Sequence, residues 1–355
     1  MKIGILTFHD TTNFGSLLQT YGLYKAIENL GKECEVIDYQ CQSIIERELP
    51  RPIKFTFNIR SLARQLLSHY FATRKYRELS AFSENRLKLS CRYDRSNITI
   101  CNNSYYKFVV GSDIVWGLDI TKGDTAYFLD FVSDKSRKFA FSSSVGNPWK
   151  DSEKAVVSPL LLDFAYIAVR EEESAQWVEE LTAKRPDVVC DPTMLISSDE
   201  WAAIKSDKYI DRKYVLVYFD NSRGSCLDMA KQYAKQHNLE ALFINYGIPV
   251  KGASSVHPYS LEDFLSLIYY ADRVFTASYH GMLFSVYFNK QFVFFNRAHK
   301  SRMNTLAKIL NVQNCNGENV DVLKMPMVDY DVVNNLVEQY RNHSIEKLKY
   351  ILDEK

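Results

Sequence analysis

Residues 2–39 read KIGILTFHDTTNFGSLLQTYGLYKAIENLGKECEVIDY, and the succession of patterns in that stretch decides the fold. Lys2–Phe8 is an apolar run of strand length, His9–Gly15 is a polar loop, and Leu17–Asn29 carries apolar residues at helical spacing. Gly31 stops the helix, and Glu33–Tyr39 returns as a second strand. Strand, helix and parallel strand in so few residues form a βαβ unit, which is right-handed almost without exception. The alternation continues. Lys107–Val110, Lys138–Ser142, Ala165–Val169, Val188–Cys190, Tyr214–Tyr218, Ala241–Ile244, Arg273–Ala277 and Phe292–Phe295 read as strands, with helices over Ser174–Thr182, Ser225–Gln236 and Leu261–Tyr270. Such alternation predicts an α/β protein built on parallel sheets. At 355 residues the chain is long for one sheet and ample for two, each with its own core. The expected division is an N-terminal α/β domain over 1–187, a second over 188–330, and a C-terminal helix over 331–355.

Composition narrows the class. With 44 basic and 43 acidic side chains the net charge is +1, which argues against a dedicated nucleic-acid binder. A hydrophobic content of 46% with only 13 Gly and 9 Pro excludes a disordered chain. The seven cysteines are odd in number and none stands in a CxxC spacing, so neither a zinc cluster nor a disulfide framework is expected. No run reaches the roughly 18–20 apolar residues of a membrane helix, and the first apolar run is too short for a secretory signal. A cytoplasmic protein is the expectation. The charge is unevenly spread, however. Residues 46–95 hold twelve Lys or Arg against five acids, and Ile59, Leu62, Ala63, Leu66, Leu67, Tyr70 and Phe71 recur there at helical spacing. A basic amphipathic insert of this kind either sits on an anionic membrane surface, here the inner face, or packs on its own domain with a solvated basic side.

Open α/β sheets bind ligands at the carboxyl ends of their strands, so the loops there are the places to search. In Thr276-Ala-Ser278-Tyr279-His280-Gly281 a strand runs into a helix, which puts His280 beside free backbone N–H groups that favour an anion. His280 is a candidate proton donor; the alternative is a helix-capping or backbone-bonding role. Arg170 follows the strand Ala165–Val169 and precedes Glu171-Glu172-Glu173. Its planar fork suits a carboxylate or phosphate, unless a neighbouring glutamate takes it as a salt bridge. Arg297, His299, Lys300, Ser301 and Arg302 cluster after Phe292–Phe295 as anion donors. The loop with Asn13, Gly15 and Ser16 suits a polar ligand but is neither a Rossmann nor a Walker fingerprint. Gly111, Ser112, Asp113 and Trp116 place a carboxylate near an aromatic, as a sugar site does, or form a turn with a packed Trp. Asp191 ends a further strand.

Taken together, these pieces resemble the polysaccharide pyruvyl transferase family. The matching segments are KIGILTFHDTTNFGSLLQTYGLYKAI, FVVGSDIVW, YFLDFV, AVREEES, CDPTML and SLEDFLSLIYYADRVFTASYHGMLFSVYFNKQFVFF, in order across roughly residues 1–310. The resemblance implies two Rossmann-like parallel-sheet domains in a GT-B-like arrangement with a deep interdomain cleft. It implies transfer of the pyruvate moiety of phosphoenolpyruvate, as a ketal, onto two hydroxyls of a sugar. The acceptor would be a bacterial surface polysaccharide or its lipid-linked oligosaccharide precursor, with the 4,6 hydroxyls of galactose the first pair to test. It further implies catalytic roles for His280 and Arg170, with phosphoenolpyruvate as co-substrate and no metal or redox cofactor. One departure stands out: family members with Arg-x-His have an arginine where this chain has Ser278, and Arg302 with Lys300 is the expected replacement. The alternatives are a GT-B glycosyltransferase consuming a nucleotide sugar and a non-catalytic carbohydrate-binding subunit.

Overall fold

The computed structural model describes residues 2–297 and 300–353, with the side chains of residues 300, 301 and 323 outside that description. The chain forms two compact units. The first comprises Met1–Leu49, Leu79–Ile196 and Gln339–Lys355; the second comprises Pro50–Glu78 and Ser197–Glu338.

The first unit is a six-stranded sheet of β1 (Lys2–Leu6), β2 (Cys34–Val36), β3 (Tyr105–Val110), β4 (Lys138–Ser143), β5 (Tyr166–Val169) and β6 (Asp187–Val188). Its order is β2-β1-β3-β4-β5-β6, and every pairing is parallel. The second unit holds β7 (Tyr214–Tyr218), β8 (Glu240–Ile244), β9 (Ser254–Val256), β10 (Arg273–Thr276) and β11 (Gln291–Phe294), ordered β11-β10-β7-β8-β9 and again parallel throughout. Parallel strands covered on both faces read as unbroken apolar runs. Phe108, Val109 and Val110 of β3 and Val215, Leu216 and Val217 of β7 are accordingly all without solvent exposure.

Both strand orders reverse direction once. In the first unit β1 has β2 on one side and β3 on the other; in the second, β7 lies between β8 and β10. Chains leaving adjacent strands at such a point diverge and open a crevice at the carboxyl ends. The loops after β1 and β3, and those after β7 and β10, are therefore the ones placed to hold ligands.

The units divide the chain differently from the sequence expectation of a boundary at 187/188. The short helix Pro192–Met194 packs in the first unit against the helix Phe14–Asn29, so the boundary falls after Ile196. The basic insert is split: Pro50–Glu78 groups with the second unit. Phe71 stacks on His257 at 4.4 Å, and Arg74 and Lys75 lie over the rings of Tyr259 and Tyr246 at 4.2 and 4.9 Å. The final helix, Tyr330–Asp353, gives its second half to the first unit. There Ser344 Oγ accepts from the Cys190 N–H at 2.9 Å and Arg341 Nε donates to the Met194 carbonyl at 2.6 Å.

The helix Phe14–Asn29 is buried nearly all round, and Gly22 is what lets it approach the turn at Pro192. A Cβ at position 22 would stand 2.5 Å from the Pro192 carbonyl oxygen, a backbone atom. Helix propensity alone favours Gly→Ala by ~1 kcal/mol, whereas overpacking a close contact costs ~1–3 kcal/mol. Gly22→Ala is therefore expected to lower the midpoint of thermal unfolding; a rise would show that the helix–turn contact is loose.

Candidate functional site

At the reversal point of the first unit, one glutamine organises the polar groups. Gln19 lies in the helix that follows β1, 1% exposed. Its Oε1 accepts from the Ser112 hydroxyl, from the Asp113 N–H at 2.8 Å and from Arg170 Nη1 at 2.8 Å. The Ser16 hydroxyl donates to the Asp113 carboxylate, so the loops after β1 and β3 are joined twice. Asp113 is half-buried and Ser16 is buried. Asn13 is exposed and caps the helix, its Oδ1 accepting from the Gly15 N–H at 2.9 Å; Gly15 is buried in the first turn. Gly111 and Ser112 are buried at the end of β3.

Arg170 departs from the expectation of an anion-gripping fork. Its side chain is 1% exposed and already engaged: Nε donates to Glu171 at 2.8 Å and Nη1 to Asp191 at 3.1 Å. Both carboxylates are deeply buried themselves, and Asp191 also accepts from the N–H and hydroxyl of Thr193 at 3.0 and 2.7 Å. Ser144 and Ser174 donate to Glu171 at 3.0 and 3.2 Å. Both ion pairs lie inside the first unit. Trp116 is likewise corrected. It is fully buried, stacked on Phe128 at 5.6 Å, with its indole N–H donating to the Tyr127 carbonyl at 2.9 Å, and no face is left for a sugar.

At the reversal point of the second unit, the turn after β10 is tightly built. Thr276 Oγ1 donates to the Tyr218 carbonyl at 2.7 Å and accepts from the Ser278 N–H at 3.0 Å. Ala277 N donates to the Phe219 carbonyl at 3.1 Å, which joins the ends of β10 and β7. Ser278 then caps the helix Tyr279–Tyr287, its Oγ accepting from Gly281 N at 3.3 Å. Gly281 has no alternative: a Cβ there would stand 2.2 Å from Thr276 Oγ1. His280, in the first turn of this helix, is half-buried and meets the Tyr279 ring edge-on at 5.5 Å.

Around this turn stand groups from the adjacent strands. Asp220 follows β7; its Oδ1 accepts from the N–H groups of Asn221 and Leu227 at 2.9 and 3.2 Å, and burial pushes its carboxyl above the usual range. Burial likewise pushes the Tyr218 phenol well up. Arg297 follows β11, is exposed, and lies over the Phe219 ring at 4.9 Å. Since β10 lies between β11 and β7, that guanidinium reaches from the end of β11 past β10 to the end of β7. Arg302 is half-buried on the helix Lys300–Ile309. His299 and the side chains of Lys300 and Ser301 lie outside the described residues. Gln19 has no motif to betray it, although a lone amide inside LLQTYGLY is a signal of a buried polar partner. Among the described residues, no group of three or more His, Cys, Asp or Glu is arranged to hold a metal ion, and no helix is long and apolar enough to cross a membrane.

By fold the protein is a two-unit, parallel-sheet α/β protein of the GT-B-like class. It is similar to a structure assigned as a UDP-N-acetylglucosamine 2-epimerase from Listeria monocytogenes, with a TM-score of 0.50 at 12% identity over 97% of both chains. UDP-GlcNAc 2-epimerase from Neisseria meningitidis follows at TM-score 0.49 and 10% identity over 99% of both. MurG from Acinetobacter baumannii has a TM-score of 0.41 at 10% identity, over 98% of this chain and 97% of its own. No curated protein matches the chain. The particular family comes from the sequence profile of the polysaccharide pyruvyl transferases, which matches residues 13–299; the chain belongs to that family and is a transferase.

Removing the Arg170 side chain would leave Glu171 and Asp191 buried beside each other without their cation. Loss of one partner of a buried pair costs ~3–5 kcal/mol. Arg170→Ala is expected to lower the free energy of unfolding by that amount, read from a lower denaturant midpoint at unchanged slope. A variant with unchanged stability and selectively lost turnover would instead restore the anion-gripping role.

Proposed function

We propose that this transferase moves the pyruvate moiety of phosphoenolpyruvate onto two hydroxyls of a sugar, closing a cyclic ketal and releasing inorganic phosphate. The acceptor is a surface polysaccharide, as of a capsule or exopolysaccharide, or its lipid-linked oligosaccharide precursor; the 4,6 hydroxyls of galactose are the first pair to test. The observation that carries the reading is that the family match, residues 13–299, runs through the turn at the second unit's reversal point, where His280 opens a helix.

In this reading His280 donates a proton to the methylene carbon of the enol phosphate, and positive charge develops at the carbon bearing the phosphate oxygen. One sugar hydroxyl adds there and loses its proton. The carbon–oxygen bond to phosphate breaks, phosphate leaves, and the second hydroxyl adds to close the ring. Of the two protons released, one returns to His280 and the other leaves with phosphate. The first-turn N–H groups of Tyr279–Tyr287 and the guanidinium of Arg297 hold the donor's anionic groups. Arg297 takes the place expected of Arg302 because it reaches across the end of β10, the strand that runs into the turn before His280. Asp113, half-buried on the rim of the first unit, is a hydroxyl partner of the kind a sugar uses.

Incubation of a sugar acceptor panel with phosphoenolpyruvate should give a product heavier by one pyruvyl ketal, with stoichiometric phosphate release. Phosphate-free turnover of a nucleotide sugar would assign a glycosyltransferase instead. Acid–base groups contribute ~10²–10⁴-fold, so His280→Ala retaining more than about a tenth of the rate would remove it from the chemistry. Arg297→Ala is expected to raise the KM for phosphoenolpyruvate about tenfold, the size of a lost charge-assisted bond, with a smaller effect from Arg302→Ala.

A further inference from the structure

The segment Pro50–Glu78 of the second unit carries a surface that transfer chemistry does not use. Eight of the seventeen exposed large hydrophobic side chains among the described residues lie between Leu49 and Tyr70, which makes this a patch rather than scatter. Phe55 and Phe57 are 84% and 92% exposed and touch edge to face at 4.9 Å. In the helix Ile59–Arg86 that follows, the exposed residues Ile59, Ala63, Leu66, Leu67 and Tyr70 fall at i, i+4, i+7, i+8 and i+11, a single stripe along one face. The side of the helix that carries Phe71 and Lys75 is the side fixed to Tyr246 and His257.

The stripe is held in place. The strap before the helix is hydrogen-bonded back to it, with Lys54 N donating to Gln65 Oε1 at 2.8 Å and His69 Nδ1 at 3.0 Å from the Arg51 carbonyl. Around the apolar residues stand Arg51, Lys54, Arg60 and Arg64, all exposed, and Pro50–Glu78 as a whole holds seven Lys or Arg against the single acid Glu78.

We propose that this face docks on an anionic lipid bilayer, with Phe55, Phe57 and the Ile59–Tyr70 stripe entering the headgroup–acyl boundary and the four cations meeting lipid phosphates. Aromatic and aliphatic side chains projecting beside a basic rim are the composition of a helix that lies in a membrane interface. A second copy of the same face would set like charges against each other, which disfavours it as the occupant. Docking of this kind is independent of the acceptor chemistry.

Flotation of the full chain with vesicles tests it. The protein should float with vesicles of phosphatidylcholine mixed with phosphatidylglycerol, should not float with phosphatidylcholine alone, and should be released by about 1 M salt. Replacing Phe55→Ser and Phe57→Ser together should weaken binding tenfold or more, and each charge removed among Arg60→Gln and Arg64→Gln about fivefold. These side chains are exposed, so the variants should keep the parent's circular dichroism. No flotation, or flotation indifferent to the variants, overturns the proposal. So does a dimer in sedimentation velocity that the two Phe substitutions dissolve, since it would assign the face to a second copy.

Discussion

A guanidinium taken out of water costs several kcal/mol unless its counter-charges and hydrogen bonds are all in place, and the first unit is arranged around meeting that condition for Arg170. Glu171 and Asp191 supply the charge, and Gln19 supplies the remaining acceptor. These groups come from the turn after β5, the turn after β6 and the helix after β1. None of the three segments is free to shift without stranding a buried charge. The same Gln19 oxygen fixes Ser112 and Asp113 at the end of β3. Asp113, half-buried at the rim, is thus held from beneath by the buried ionic cluster around Arg170.

Much of the architecture was legible because parallel strands covered on both faces must be apolar end to end. KIGIL, YVLVY and FVF announce themselves for that reason. The strand β9, Ser254–Val256, did not: it pairs on one side only, at the sheet edge, and its serines carry no apolar signal. Of the site, the position of the His280 turn at a strand's carboxyl end and a helix's start could be read directly. The state of Arg170 could not, since its partner Asp191 lies 21 residues away and only the folded sheet brings it close. Trp116 had two readings from sequence, and the depth of the core beneath β3 decided between them. Arg297 was visible as one cation of a cluster; its importance emerges only from the strand order that carries it across β10 to Phe219.

The two reversal points also divide labour in a way composition would not reveal. In the first unit, the Arg170 charge is neutralised internally and the half-buried Asp113 carboxylate stands at the rim. In the second, the turn after β10 presents helix N–H groups, an imidazole and a guanidinium, all suited to an anion. A net charge of +1 averages over these opposed preferences and over the basic Pro50–Glu78 segment alike.

The first unit is completed by a segment that lies beyond the second unit in sequence. Cys190 N–H finds its acceptor in Ser344, and buried Lys107 donates to the Ile351 carbonyl. The first unit therefore depends on residues 339–353 returning to it across the whole of Ser197–Glu338, and a chain cut between the two units would strand both of these groups.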